Sequence, residues 1–268
     1  MMAMADPQPT GPFEWTQEPW GRALRCAALP ARHVFTSRDL MLRQDDGEWT
    51  SVAGSLGVAR ERLRLIKQVH GTAVALARRG DTDAWTLPQA DAIVTDDPAV
   101  AIGVRVADCA PVLMLDPVKN VAAAVHAGWR GTAAGASRVA ARRMTTAFGC
   151  RETDIIAAIG PCLGRCCGEV GPEVRDAFRA MGASDLMVDR WFTPGRGDRL
   201  FLDLERANRD QLEHVGLDPA RIFTSGLCTK THRERLHSYR GDGVQAGRLL
   251  GAIRLPADSD AGATRAPA

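Results

Sequence analysis

Residues 100–125 read VAIGVRVADCAPVLMLDPVKNVAAAV, three short apolar runs (100–106, 112–115 and 121–125) rich in Val, Ile, Leu and Ala. Runs of this length suggest buried strands, and Asp116-Pro117 marks a turn between the second and the third. Similar runs lie on either side, at 73–77, 92–94, 155–159, 221–224 and 248–255, with Asp97-Pro98 as another turn signal. Helical patterns come mostly later. Residues 132–148 place Ala136, Val139, Ala140, Met144 and Ala147 on one face and stop at Gly149. Residues 172–181 start on a proline and end before Gly182, while 204–215 follow Asp203, a good N-cap, and end at Gly216. Strands in one block and helices in another, without regular alternation, predict α+β layering rather than a doubly wound sheet.

No long linker and no fixed-period repeat interrupts the chain, so a single catalytic domain is expected over 13–256. The small, polar, Pro-rich ends, 1–12 and 257–268, are expected to be disordered tails. Composition excludes several classes. Hydrophobic residues at 45% and charged residues at 25% match ordinary globular chains and argue against disordered or fibrous ones. With 34 Lys and Arg against 32 Asp and Glu, the net charge of +2 leaves no excess for tracking a phosphate backbone, so no nucleic-acid partner is expected. No apolar stretch approaches the ~18–20 residues that span a bilayer, so no membrane partner is expected either. The first twenty residues carry Asp6, Glu14, Glu18 and four prolines but no basic residue, which is unlike a secretory signal. Seven cysteines are an odd number in a long chain, unlike a disulfide scaffold. The reading is a soluble, cytoplasmic protein, with a monomer favoured.

Chemistry concentrates at three places. His70 lies in Gln68-Val69-His70-Gly71, Cys109 in Ala107-Asp108-Cys109-Ala110, and His126 in His126-Ala127-Gly128-Trp129-Arg130-Gly131. Each sits at the end of an expected strand, and the neighbouring glycines let backbone stay close to a site. Two imidazoles and one thiolate with an open fourth position form the donor set of a catalytic zinc site. The separations of 39 and 17 residues (109 − 70 and 126 − 109) match no short metal-binding pattern. From residue types alone, the histidines also read as hydrogen-bonded structural residues and Cys109 as a small buried hydrophobe.

In that order QVHG, RVADCAPVLML and AAAVHAGWRGTAAG resemble the purine nucleoside phosphorylase family long described as laccase-domain or polyphenol oxidase proteins. The likeness continues through Ile159-Gly160-Pro161, Cys166-Cys167-Gly168-Glu169-Val170, Asp203-Leu204, Cys228-Thr229, Ser238-Tyr239-Arg240 and Gly247-Arg248, and covers roughly residues 33–255. The resemblance implies a layered α/β sandwich, with mixed β-sheets flanked by helices. It implies one zinc held by His70, Cys109 and His126, copper being the alternative that the older family name suggests. It also implies phosphorolysis of adenosine, inosine, guanosine and methylthioadenosine to free base and ribose 1-phosphate, with hydrolytic deamination of adenosine. The expected partners are thus a purine nucleoside and phosphate. Cys109 and Glu169 are the expected catalytic residues, Glu169 as an acid/base or ribose-binding group. Arg38, which matches the family's N-terminal Phe-Thr-Thr-Arg segment as Phe35-Thr36-Ser37-Arg38, is expected to bind phosphate, with Gln68 and Arg130 completing the substrate set. The chain departs from the family at Asp39–Leu42, in residues 43–57, and at Gly168, where a tyrosine is usual.

Other features read more plainly. Cys162, Cys166 and Cys167 form a CxxxCC cluster without a nearby histidine, which favours a turn of small residues over a second metal site. Gly241-Asp242-Gly243 lacks dinucleotide-fingerprint spacing, and His232 and His237 fall in a segment dense with Arg and Glu that reads as a solvated loop. Trp129 fits either stacking on a base or a scaffold role. Two functional alternatives stay open. Cys109 with His126 or His70 also makes a cysteine hydrolase. A copper polyphenol oxidase of the laccase type needs about ten histidines, and the chain has six.

Overall fold

The three runs of residues 100–125 become the strands Ala101–Val106, Ala110–Asp116 and Val121–Ala127, and they fall in two different sheets. The computed structural model describes residues 5–81 and 84–257. Its first six-stranded sheet runs Phe13–Glu18, Gly21–Cys26, Arg32–Thr36, Leu249–Arg254, Ala101–Val106, Leu63–Arg64. The second runs Ile222–Thr224, Ile156–Ile159, Ala110–Asp116, Val121–Ala127, Ala92–Thr95, Val74–Ala77. Both are mixed, with a parallel pair at one edge of the first and at both edges of the second, and antiparallel pairs elsewhere. A small third sheet joins Glu169–Val170, Leu200–Leu202 and Phe192–Pro194.

Period-two alternation explains the layers. All seven residues of Ala110–Asp116 are buried. Leu113 and Leu115 share a core with Ile102, Val104 and Leu249 of the first sheet, so these side chains fill the space between the sheets. Val112 and Met114 face the other way, onto Ala136, Ala140 and Met144 of helix Ala136–Phe148 and Leu212 of helix Leu204–Val215. The outer face of the first sheet packs Val34, Leu250 and Ala252 on Trp49, Val52 and Leu56, around helix Asp46–Ser55. The order is therefore helix, sheet, sheet, helices: the expected α+β sandwich of mixed sheets.

Some local expectations need correction. The helix expected over 132–148 is two, Trp129–Ala134 and Ala136–Phe148, broken where Gly135 takes φ +83°. Strands Phe13–Glu18, Gly21–Cys26 and Arg32–Thr36, and helices Asp46–Ser55 and Asp185–Trp191, were not expected from pattern. Residues 5–12 are not free. Asp6 pairs with Arg22 and Arg235, the Pro7 carbonyl accepts from Trp15, and Thr10 bonds the carbonyls of Thr224 and Ser225. The remainder of the expected tails, 1–4 and 258–268, lies outside the described residues. Among the described residues no helix is long and apolar enough to cross a membrane.

One buried group of this scaffold gives a pH prediction. His33 donates through Nδ1 to the Ala31 carbonyl (2.7 Å) and accepts from the Cys26 amide through Nε2 (2.9 Å), and so is neutral. Burial, with the Arg25 charge, lowers its pKa from 6.5 to about 4. The folded state thus resists a proton that the unfolded chain accepts. Stability from this residue is present above pH 6.5 and is lost as pH falls towards 4, by about 3 kcal/mol. Urea unfolding of wild type and His33→Gln at several pH values should show the wild type losing that much more than the variant between pH 7 and 4. Parallel curves would refute the assignment.

Candidate active site

Two loops and one strand register build the site. The pairs Ala110↔Ala127 and Pro111↔His126 set His126 beside the start of the strand that Cys109 precedes. The third residue arrives through Asp91, at the start of the neighbouring strand, which is fully buried. One Asp91 carboxylate accepts from three successive amides, Val69 (3.2 Å), His70 (2.9 Å) and Gly71 (2.6 Å), and from Nδ1 of His126 (2.8 Å). The amide of His126 also donates to the Asp91 carbonyl (2.8 Å). This grip holds His70 at φ +60°, a conformation that costs a non-glycine residue ~1–2 kcal/mol. With Nδ1 of His126 donating to Asp91, its Nε2 is the nitrogen left for a ligand.

Cys109 is set by a second buttressed turn. Asp108, at φ +85°, accepts from Thr229 Oγ1 (2.6 Å), Ser238 Oγ (2.7 Å) and the Arg240 amide (2.6 Å). The Cys109 sulfur then lies 4.0 Å from His70 Nε2, and the two imidazole rings meet edge-to-face with centroids 4.8 Å apart. The donor atoms of His70, Cys109 and His126 all lie within 4.8 Å of one another. Gly128 makes room for them, since a Cβ there would stand 2.8 Å from the Cys109 sulfur. Burial alone would raise the Cys109 thiol, but hydrogen bonds from His126 and His70 outweigh it and bring the pKa down to about 7. Burial would likewise depress His126, yet Asp91 and Cys109 hold it up at about 9. A polarised thiol, two convergent imidazoles and an oriented tautomer fit a borderline-soft metal such as zinc.

These residues line a cleft of about 690 Å³ whose rim is cationic. Lys67, Arg105, Arg130, Arg240 and Arg248 all face it, and Asp108, the acid that joins them, has both oxygens engaged. Burial, and then the charge of Arg248, lowers the Arg105 pKa, so two guanidiniums crowd one side of the cleft. Trp129 and Tyr239 add aromatic surface, and the Arg130 guanidinium lies 4.2 Å from the Trp129 ring centroid.

The expected substrate residues separate. Gln68 and Arg130 line the cleft, but Gln68 spends its amide on the backbone of Arg105 (2.7 and 2.9 Å) and acts as scaffold. Arg38 does not line the cleft. Its guanidinium bonds the Arg233 carbonyl and pairs with Asp242 at 3.5 Å. Glu169 is also absent from the lining, although Gly168 and Val170 on either side belong to it. The alternation of strand Glu169–Val170 turns its side chain to the opposite face. At Gly168 a Cβ would lie 2.6 Å from the Leu202 carbonyl oxygen, so backbone forms the wall there. Apart from Arg130, pattern reading missed the cleft cations, and it missed the roles of Asp91 and Asp108. The available signals were an acid opening the apolar run 92–94 and the acid of the Ala-Asp-Cys turn. Of the remaining histidines, His237 is buried rather than solvated, bonding backbone of Leu40 and Gly247, and His232 faces Glu234.

Comparison with known proteins adds a second kind of observation. The family model described as multi-copper polyphenol oxidoreductase laccase matches residues 46–256. A purine nucleoside phosphorylase of Deinococcus radiodurans is 34% identical over 253 residues, covering 87% of this chain and 92% of its own. Adenosine deaminase RL5, from an unknown prokaryotic organism, is 33% identical over 223 residues, covering 80% and 83%. The crystal structure of YlmD from Geobacillus stearothermophilus matches with a TM-score of 0.80 at 28% identity, and that of YfiH from Bacillus licheniformis with 0.82 at 26%, each over 92% of this chain and 100% of the other.

Proposed function

The chain belongs to the family described as multi-copper polyphenol oxidoreductase laccase, and on that premise we propose that it is a zinc-dependent purine nucleoside phosphorylase that also deaminates adenosine. Its substrates on this reading are adenosine, inosine, guanosine and methylthioadenosine, converted with phosphate to free base and the ribose 1-phosphate. The carrying observation is that one cleft joins His70, Cys109 and His126 to five cationic side chains and an aromatic wall.

Phosphorolysis forms a bond from a phosphate oxygen to C1′ and breaks the N-glycosidic bond, whose electron pair leaves with the purine. Positive charge grows on the ribose while the purine becomes anionic. Arg105 and Arg248, crowded on one side of the cleft, would be relieved by a phosphate between them, and Lys67 and Arg240 would share its charge. Trp129 and Tyr239 offer flat faces to orient a purine. His70, Cys109 and His126 would hold the zinc, which supplies Lewis acidity and lowers the pKa of water for deamination. Asp91 keeps His126 oriented throughout. Among the described residues only two histidines reach this cleft, which is too few for a multicopper set.

A second reading has its own observation. Asp91, His126 and Cys109 form a hydrogen-bonded relay resembling a cysteine-hydrolase triad. The close approach of His70 to the sulfur is unexplained by a triad and natural in a metal site.

Incubation of the chain with inosine should release hypoxanthine and ribose 1-phosphate only when phosphate is present. Arg105→Ala should raise the phosphate KM about 10- to 100-fold, the worth of a charged hydrogen bond, while Arg38→Ala leaves it unchanged. Base release without phosphate, or a covalent substrate adduct on Cys109, would overturn the phosphorylase reading.

A further inference from the structure

Outside the cleft, three more cysteines come together. Cys166 and Cys167 lie on one loop and Cys228 some sixty positions on (228 − 167 = 61), yet their sulfurs all fall within 4.8 Å of one another. We propose that Cys166, Cys167 and Cys228 form a second metal site, for a thiophilic d¹⁰ cation, Zn²⁺ or Cu⁺. It is independent of the reaction proposed above. Thiolate donors select these ions over harder ones.

The cluster is built by backbone rather than by chance proximity. Cys162 and Cys228 form a parallel bridge, with the Cys162 amide donating to Leu227 (3.3 Å) and the Thr229 amide to Cys162 (2.9 Å). The Cys167 amide closes a turn onto the Gly164 carbonyl (2.9 Å). Gly164 lets the two segments approach, because a Cβ there would stand only 3.0 Å from Cys228 Cβ. Thr231 Oγ1 lies 3.4 Å from Cys166 Sγ and 3.6 Å from Cys167 Sγ, an oxygen beside the sulfurs. All three cysteines are free of disulfides. On binding, each thiol that ligates gives up its proton to solvent, so up to three protons leave per metal and no redox change is involved.

The site would clamp two segments that also shape the cleft. The Leu163 amide donates to the Asp108 carbonyl (2.8 Å), and Thr229 holds the Asp108 carboxylate. A metal joining Cys166 and Cys167 to Cys228 therefore fastens the supports of the turn that presents Cys109.

Full-length protein, reduced with a non-thiol reductant, is equilibrated separately with Zn²⁺ and with Cu⁺ and freed of loose metal. At least one ion should be retained at one equivalent beyond the cleft site. Cys166→Ser/Cys167→Ser, changed at or near the surface, should lose that equivalent and keep the other. Cadmium gives an independent reading. Titrated into Cys109→Ala, it should develop a thiolate charge-transfer band saturating at one equivalent, and the band should be absent once Cys166 and Cys167 are also serine. No extra equivalent of either ion in wild type, or an undiminished one in the double variant, would overturn the proposal.

Discussion

Cys109→Ala and His126→Ala are each expected to purify with one zinc fewer than wild type and to lose phosphorolysis and deamination by about a thousandfold or more. A Lewis acid in a shielded site is worth several kcal/mol of transition-state stabilisation, and each 1.36 kcal/mol is tenfold in rate. The fold should survive both changes. Cys109 sits in a turn held by Asp108, whose partners Thr229, Ser238 and Arg240 do not involve the sulfur. In His126→Ala, Asp91 keeps its three amide donors. Elemental analysis and steady-state assays on the same preparations check the result, with Arg38→Ala and Glu169→Gln as controls expected near wild-type turnover. Full zinc and full turnover in either ligand variant would remove the metal assignment. Full zinc loss with turnover intact would separate the metal from the reaction.

The sheets were legible because their strands are buried on both faces, so that residues 112–115 and 121–125 announce themselves as unbroken apolar runs. The first two N-terminal strands, Phe13–Glu18 and Gly21–Cys26, are partly exposed and carry Glu14, Gln17, Arg22 and Arg25 among their apolar residues. That mixture hides them. Gly135 was read through as helix because a single glycine is tolerated there, and only its left-handed φ reveals the break. At the site, residue type pointed to His70, Cys109 and His126, since few side chains bind metal. The phosphate side was less legible, because any of 34 Lys and Arg residues is a candidate and only the folded chain gathers Lys67, Arg105, Arg130, Arg240 and Arg248. Arg38 followed a motif match, and the fold gives that guanidinium to Asp242. Cys228 likewise could not be joined to Cys166 and Cys167 before the bridge between Cys162 and Cys228 was known.

Asp91→Asn is expected to weaken zinc binding about 10- to 100-fold, the usual cost of losing the group that orients a histidine ligand. The carboxylate is held in its charged form. Burial opposes this, but the hydrogen bonds from His126 and the Gly71 and His70 amides prevail and lower its pKa. Asparagine keeps one acceptor oxygen and replaces the other by an NH₂ group that cannot accept. At least one of the four donors from Val69, His70, Gly71 and His126 then loses its partner in a buried place. An unsatisfied buried donor costs about 1–3 kcal/mol, and the loop loses the grip that holds His70 at φ +60°. Stability should therefore fall by about 2–4 kcal/mol in the same variant. Zinc titration of the folded variant separates the two effects. Turnover that returns as zinc is raised shows that Asp91 acts through the metal ligands. Unchanged zinc affinity together with lost stability would reduce Asp91 to a scaffold for the loop.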